Sequence, residues 1–395
     1  MHQAMAASFA PGIDRARLRY INGVMNQDHH HHHHRTNLYP LDDSAETRQP
    51  FAEISGEQRR KEEKEKKKKK KRETMPGPTP TPFEISVPDS LLTFIHDRVR
   101  TARLPPPINH TGNSNPVAHG LPYETLTAIQ DYWLKSYNWR SVEARINRTL
   151  KQFTVPISHD GEDLCVHFAH HRSPRPDAIP LIFVHGWAGS FLEIEKIVTA
   201  LTHPPSERAQ AFHVVAPSLP GIGFSSAPKN ANFPPKKIAA VFDKLMGILK
   251  YDNYIAQGGD WGSFVCRYLA IEYPKRCVGI HLNFVVALPP ILWKNPLELM
   301  YLLTRWMTPY QKRMLQRMMW WREEEYGYAQ IMSTKPMTIA YALTDSPLGF
   351  VAWIRDKLGV LVDGYVWTEE EVITMTMVSF FSLYICPNLF HEACN

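Results

Sequence analysis

The chain has 395 residues, 44% of them apolar, enough for one large catalytic domain with a cap and a sizeable core. The formal net charge is +6, and most of it sits in the first 74 residues, so charge alone marks no nucleic-acid or membrane surface on the rest. Cysteines 165, 266, 277, 386 and 394 show neither metal-ligand spacing nor a paired framework, and no apolar run approaches the ~18 residues that cross a bilayer, so a reducing, cytoplasmic setting is expected.

Residues 1–74 read as a disordered basic and His-rich leader. They hold His29 to His34 and the run Lys66 to Lys71 followed by Arg72. Such a basic run could be a nuclear-localisation or nucleic-acid patch, but a solvated tract is the preferred reading. The His run looks like a tag or repeat tract, and Met75 heads a segment that reads like a natural start. Residues 75–152 form a separate N-terminal region. It carries a helix from Ser90 to Ala102, with Asp89 and Ser90 as caps, and helical pattern through 123–151.

Residues 153–288 alternate strand and helix. Strand Leu181–Val184 runs into a Gly-containing loop and a helix from Phe191 to Leu201. Strand Phe212–Pro217 follows, then a strand through Asn253–Ala256, a helix Ser263–Glu272 and a strand Val278–Phe284. This alternation predicts an α/β class with a mostly parallel sheet and helices on both faces. Residues 289–380 turn helical and rich in Met and Trp, which predicts an inserted cap whose Met/aromatic stripe is packing before it is pocket. Residues 381–395 fall off pattern.

The segment Gly258-Gly259-Asp260-Trp261-Gly262 lies between a strand and a helix. Small residues two before and two after the centre frame a tight strand-to-helix turn that lifts one side chain into a cleft, a nucleophile elbow. The central residue is Asp rather than Ser. A carboxylate is ionised at neutral pH and can attack an sp³ carbon with a leaving group, whereas at a carbonyl it would make a labile anhydride. Asp260 therefore points to epoxides or alkyl halides, with helix capping as the bland alternative. In the α/β-hydrolase layout the oxyanion N–H groups come from the residue after the nucleophile and from the loop of His185-Gly186-Trp187. Here these are Trp261 and Trp187.

The chain resembles the epoxide hydrolases of the microsomal type, particularly fungal members, from about Phe83 to about Ser379. The resemblance rests on His185-Gly186-Trp187, Pro217 to Gly221, Gly258 to Gly262, Ile280 to Asn283, Tyr132-Trp133 with Tyr137 to Arg140, and Thr334-Lys335-Pro336 with Tyr341 to Gly349. It departs at Ala188, where many members carry Pro. The resemblance implies that Asp260 forms an alkyl ester, that a cap tyrosine matching Tyr328 protonates the opening ring, with Tyr326 a close competitor, and that a His and an acid then hydrolyse the ester to a vicinal diol. No cofactor or metal is implied. The implied partner is a small apolar epoxide, with neither nucleic acid nor a membrane span, and the implied role is detoxification. After Asp260 the chain offers only His281, on a strand, and His391, near its end. Relatives add a second cap tyrosine, two strands, the acid and the His after the cap, so the expectation is a truncated chain, inactive or limited to one turnover. The alternatives are a haloalkane dehalogenase-like hydrolase, disfavoured by the N-terminal region and Lys335-Pro336, and a catalytically dead α/β-hydrolase scaffold.

Overall fold

The computed structural model describes residues 77–108, 119–230, 233–285, 308–362 and 364–385, with 296, 297 and 300. The expected leader at 1–74, His391 and the end of the off-pattern tail lie outside the described residues.

Seven strands make one sheet: β1 (Thr81–Phe83), β2 (Gln152–His159), β3 (Glu162–His171), β4 (Ile179–Val184), β5 (Phe212–Pro217), β6 (Tyr254–Gly258) and β7 (Cys277–Leu282). Their order is β1-β2-β3-β5-β4-β6-β7. The pairs β4–β5, β4–β6 and β6–β7 are parallel, whereas β1–β2, β2–β3 and β3–β5 are antiparallel. The expected α/β class is borne out, with the parallel part of this mixed sheet formed by β5, β4, β6 and β7. A tight hairpin at Asp160-Gly161, both at positive φ (52° and 79°), turns β2 directly into the antiparallel β3. The parallel strands need crossovers, and these supply helices.

Among the described residues three helices precede β2: α1 (Asp89–Arg100), α2 (Tyr123–Lys135) and α3 (Trp139–Thr149). The helical pattern through 123–151 is broken at Asn138, whose side chain accepts from the Ser141 amide and starts α3. The expected cap of α1 is also corrected. Pro88 holds the N-cap position without a side-chain bond, and Asp89 instead meets Arg140. Between β4 and β5 the expected single helix is a 3₁₀ turn (Phe191–Ile194) and a short α4 (Val198–Thr202). Ser190 accepts from Leu192 N–H and tightens that first turn.

Helices α5 (Pro235–Ile248) and α6 (Trp261–Glu272) pack side by side on the sheet. The core between them and the strands includes Phe168, Ile182, Val184, Val215, Phe242, Leu245, Tyr254 and Val265, all essentially inaccessible. Strands β4 and β6 are largely buried, which fits their continuous apolar runs. Cys266 and Cys277 are free and buried, while Cys165 is disulfide-bonded, contrary to the expectation of no pairing.

Beyond β7 the described chain is helical: α7 (Pro309–Trp320), a π-helical turn (Trp321–Glu325), α8 (Gly327–Thr334), α9 (Pro336–Asp345), α10 (Pro347–Leu361) and α11 (Glu369–Ile385). The N-terminal helices reach this layer. Trp139 meets Phe381 edge-on at 4.7 Å, and Tyr137 shares a 3.1 Å hydrogen bond with Thr374. Among the described residues no helix is long and apolar enough to cross a membrane.

Two buried histidines predict acid lability. His167 on β3 is fully enclosed, with ring nitrogens 2.9 Å from Ser218 Oγ and 3.1 Å from Gln152 Oε1. His185 is equally enclosed. Its Nδ1 donates to Gly186 O, and its Nε2 accepts from Leu219 N–H. A proton on that Nε2 would face another donor. Burial holds His167 down at about 3 and His185 down at about 4. The unfolded chain binds these protons near pH 6.5 and the fold does not, so stability falls as pH drops below 6.5. Each should contribute about 2 kcal/mol of loss by pH 5. Denaturant midpoints at pH 7.5 and 5.0 measure this, and equal midpoints would refute it.

Candidate active site

The site forms where the carboxyl ends of β4 and β6 lie side by side, with Val184 opposite Gly258. The loops leaving both strands must converge there. Around the β6 exit, space is the dominant constraint. A β-carbon on Gly262 would overlap the Val184 carbonyl, one on Gly258 would overlap the Gly262 carbonyl, and one on Gly186 would press on the Asp260 side chain. The glycine positions therefore follow from close backbone approach.

Asp260 sits at φ 46°, ψ −125°, directly before α6. A β-carbon-bearing residue is strained there, and such strain gathers at functional turns. Asp260 occupies the N-cap position of α6, yet its side chain makes no capping bond. It turns instead to the neighbouring loop, where Oδ1 accepts from Trp187 N–H at 2.9 Å. Burial pushes the Asp260 carboxyl up, and the amides of Trp261 and Trp187 pull it back down. The N-terminus of α6 also favours its anion. Both amides expected as oxyanion donors thus face the Asp260 carboxylate. The Trp187–Ala188 peptide, at the departure noted above, is cis.

The structure places Tyr328 on α8 against this loop, its ring stacked on Trp187 with centroids 5.2 Å apart and planes at 16°. Burial, then the charge of Asp260, push its phenol up. Tyr326 instead packs its ring on Trp321 at 4.7 Å. His281 lies on β7 opposite Gln257, and its Nδ1 has no hydrogen-bond partner among the described residues.

Two charged groups escaped the sequence reading. Glu193 accepts from the Gly186 amide, and its carboxyl is pushed up to about 7 by the chain crowded around it and then by Asp260, although the residue keeps solvent access. Lys357 on α10 lies 5.5 Å above the Tyr328 ring. Neither carries a local motif: Lys357 meets the site across a long stretch of chain, and Glu193, only seven residues after Gly186, meets Asp260 67 positions away. Next to Trp187 opens a cavity of about 250 Å³ lined by Met332, Ile339, Leu343, Phe350 and Trp353 among others. Trp187 belongs both to its wall and to the loop holding Asp260. The arrangement offers a desolvated carboxylate, two amides, a phenol and an adjoining apolar chamber.

Comparison with known proteins gives a consistent picture. Residues 80–194 match the family described as epoxide hydrolase N terminus, and residues 179–314 match the alpha/beta hydrolase fold. A putative epoxide hydrolase of Stigmatella aurantiaca is 36% identical over 76% of this chain and 65% of its own length. One from Dothistroma septosporum is 31% identical over 75% of this chain and 68% of its own. Among solved structures, the Aspergillus niger epoxide hydrolase is 33% identical with a TM-score of 0.66, covering 77% of this chain and 75% of that one. The juvenile hormone epoxide hydrolase of Bombyx mori has a TM-score of 0.69 at 27% identity, covering 78% and 76%. The chain spans 65% and 63% of the lengths of the first relatives it matches.

Proposed function

This chain belongs to the epoxide hydrolase family, on the α/β-hydrolase fold, and we propose on that footing that it opens an apolar epoxide through an ester on Asp260. The observation that carries the reading is Asp260 itself. It is a carboxylate on a strained elbow, free of capping duty and held by a backbone amide at 2.9 Å. With Oδ1 anchored, Oδ2 attacks a ring carbon, and the C–O bond on the far side breaks. Tyr328 gives its proton to the departing oxygen, which a phenol can do at neutral pH. The ester that results is a carbonyl beside the amides of Trp187 and Trp261, and these favour the tetrahedral anion formed when water attacks it. Its collapse breaks the acyl bond to Oδ2, which leaves with the product as the second hydroxyl of a vicinal diol, while the oxygen of water stays in the Asp260 carboxylate and its two protons go to that hydroxyl and back to Tyr328. The apolar chamber beside Trp187 suits a hydrophobic substituent.

The test reads the two halves separately. The full chain is mixed with styrene oxide, quenched rapidly in acid and weighed intact. One adduct per chain is expected, mapping to Asp260, and diol is measured in parallel to show whether the ester turns over. Label scattered over Cys and Lys residues, unchanged in Asp260→Ala, would overturn the nucleophile assignment. Halide release from a chloroalkane without any diol would move the reading to dehalogenation.

A further inference from the structure

Lys357 is an unusual lysine. Its side chain is only 12% exposed, and an ammonium taken from water needs compensation. Part of it comes from Glu325 at 2.9 Å and Asp356 at 2.7 Å. The rest of its surroundings include an aromatic face, since Nζ lies 5.5 Å from the centroid of the Tyr328 ring. That ring also stacks on the Trp187 indole, with centroids 5.2 Å apart. Glu325 ends the π-helical turn three residues before Tyr328, so the ion pair also ties α10 to the start of α8.

We propose that Lys357 is a positioning residue for Tyr328, fixing its ring against Trp187 and favouring negative charge on its oxygen as the proton leaves. The inference rests on the reading of Tyr328 as proton donor. During ring opening the Tyr328 O–H bond breaks, an O–H bond forms on the departing oxygen, and the phenol becomes a phenolate until water returns the proton. A cation over the ring face is attracted to the neutral phenol and more strongly to the phenolate. The charged and titratable groups around Tyr328 are Asp260 on the elbow, Tyr326 beside it, and Lys357 with its partners Glu325 and Asp356. Burial and Asp260 push the phenol up, and Lys357 acts against them. Without the ammonium the donor would be held too tightly next to an anionic nucleophile.

The experiment compares the full chain with Lys357→Met, Lys357→Arg, Tyr328→Phe and the Lys357→Met/Tyr328→Phe double variant. The quantities are the single-turnover rate of Asp260 alkylation and its half-saturating epoxide concentration, read by acid quench and mass spectrometry. Lys357→Met should slow alkylation on the order of tenfold while half-saturation stays within about twofold, Lys357→Arg should keep most of the rate, and Lys357→Met should add little once Tyr328 is Phe. A wild-type rate in Lys357→Met, or a loss that adds in full to that of Tyr328→Phe, overturns the proposal. A second readout needs no alkylation. The ultraviolet titration of Tyr328, isolated as the difference from Tyr328→Phe, should move upward in Lys357→Met, and an unmoved titration overturns the proposal even where Asp260 forms no adduct. Absence of any Asp260 adduct in the unmodified chain instead sinks the proposed reaction. Should Lys357→Met fail to fold, Lys357→Met/Asp356→Asn removes one charge of each sign and makes the same comparisons.

Discussion

Asp260→Ala is expected to lose all epoxide adduct at the elbow, and Asp260→Gly to lose it while melting at a higher temperature than the unmodified chain. Removing a nucleophile leaves only binding and electrostatics, and losses of ~10⁴-fold or more are usual for such a change. The stability half follows from the backbone. Asp260 holds φ 46° and a carboxylate kept from water, and both cost free energy in the fold. Glycine adopts that φ without steric penalty and brings no carboxylate. Relief of about 1–3 kcal/mol is expected for Asp260→Gly, whereas Asp260→Ala keeps the strained φ and should gain less. Thermal midpoints of the three proteins, with the adduct assay, decide the matter. Equal midpoints for the Gly and Asp forms would mean the elbow stores no strain.

Gly262→Ala should be among the most damaging single-methyl changes in the chain. The new β-carbon would run into the Val184 carbonyl and lie 2.9 Å from the His185 carbonyl oxygen. Both belong to the backbone where β4 ends, so no side-chain rotation can make room. Either α6 moves off β6 or the His185–Trp187 loop moves off Asp260. A loss of at least about 4 kcal/mol, or no soluble protein, is expected, together with loss of Asp260 labelling. Gly327→Ala is the control. Nothing lies within 4 Å of a β-carbon there, and the position opens α8, so stability should hold or rise by about 0.4–1 kcal/mol. Similar denaturant midpoints for the two variants would remove the close-approach account of the elbow.

The elbow was legible in the sequence because its constraint is local: three glycines, one Asp and the flanking strand and helix all lie within residues 254–272. The neighbouring His185-Gly186-Trp187 loop was legible for the same reason. The antiparallel half of the sheet was missed, although Asp160-Gly161 is a strong hairpin signal, because the alternation downstream outweighed it. The break at Asn138 was obscured by an apolar pattern that continues on both sides. What no local pattern could show is the environment of Tyr328. Trp187 lies 141 positions upstream and Lys357 29 downstream, so the ring's two neighbours are set by how α8 and α10 fold back over the loop. Glu193 is similar, since its carboxyl is raised by burial and then by the charge of Asp260, 67 positions downstream.

The helical layer that follows β7 is anchored unevenly, and that bears on access to the chamber. Helix α11 is pinned by Trp139 on Phe381, Tyr137 on Thr374, and Ser382 Oγ donating to Gly223 O at 3.0 Å. Helices α8 and α9 bury no residue fully, yet they supply Met332, Ile339 and Leu343 to the chamber wall. Weakly packed elements of this kind open first, and Tyr328 sits on one of them. On the proposed reading, an outward swing of α8 to admit an epoxide would carry the acid away from the nucleophile, so ring opening would await closure and the exclusion of bulk water.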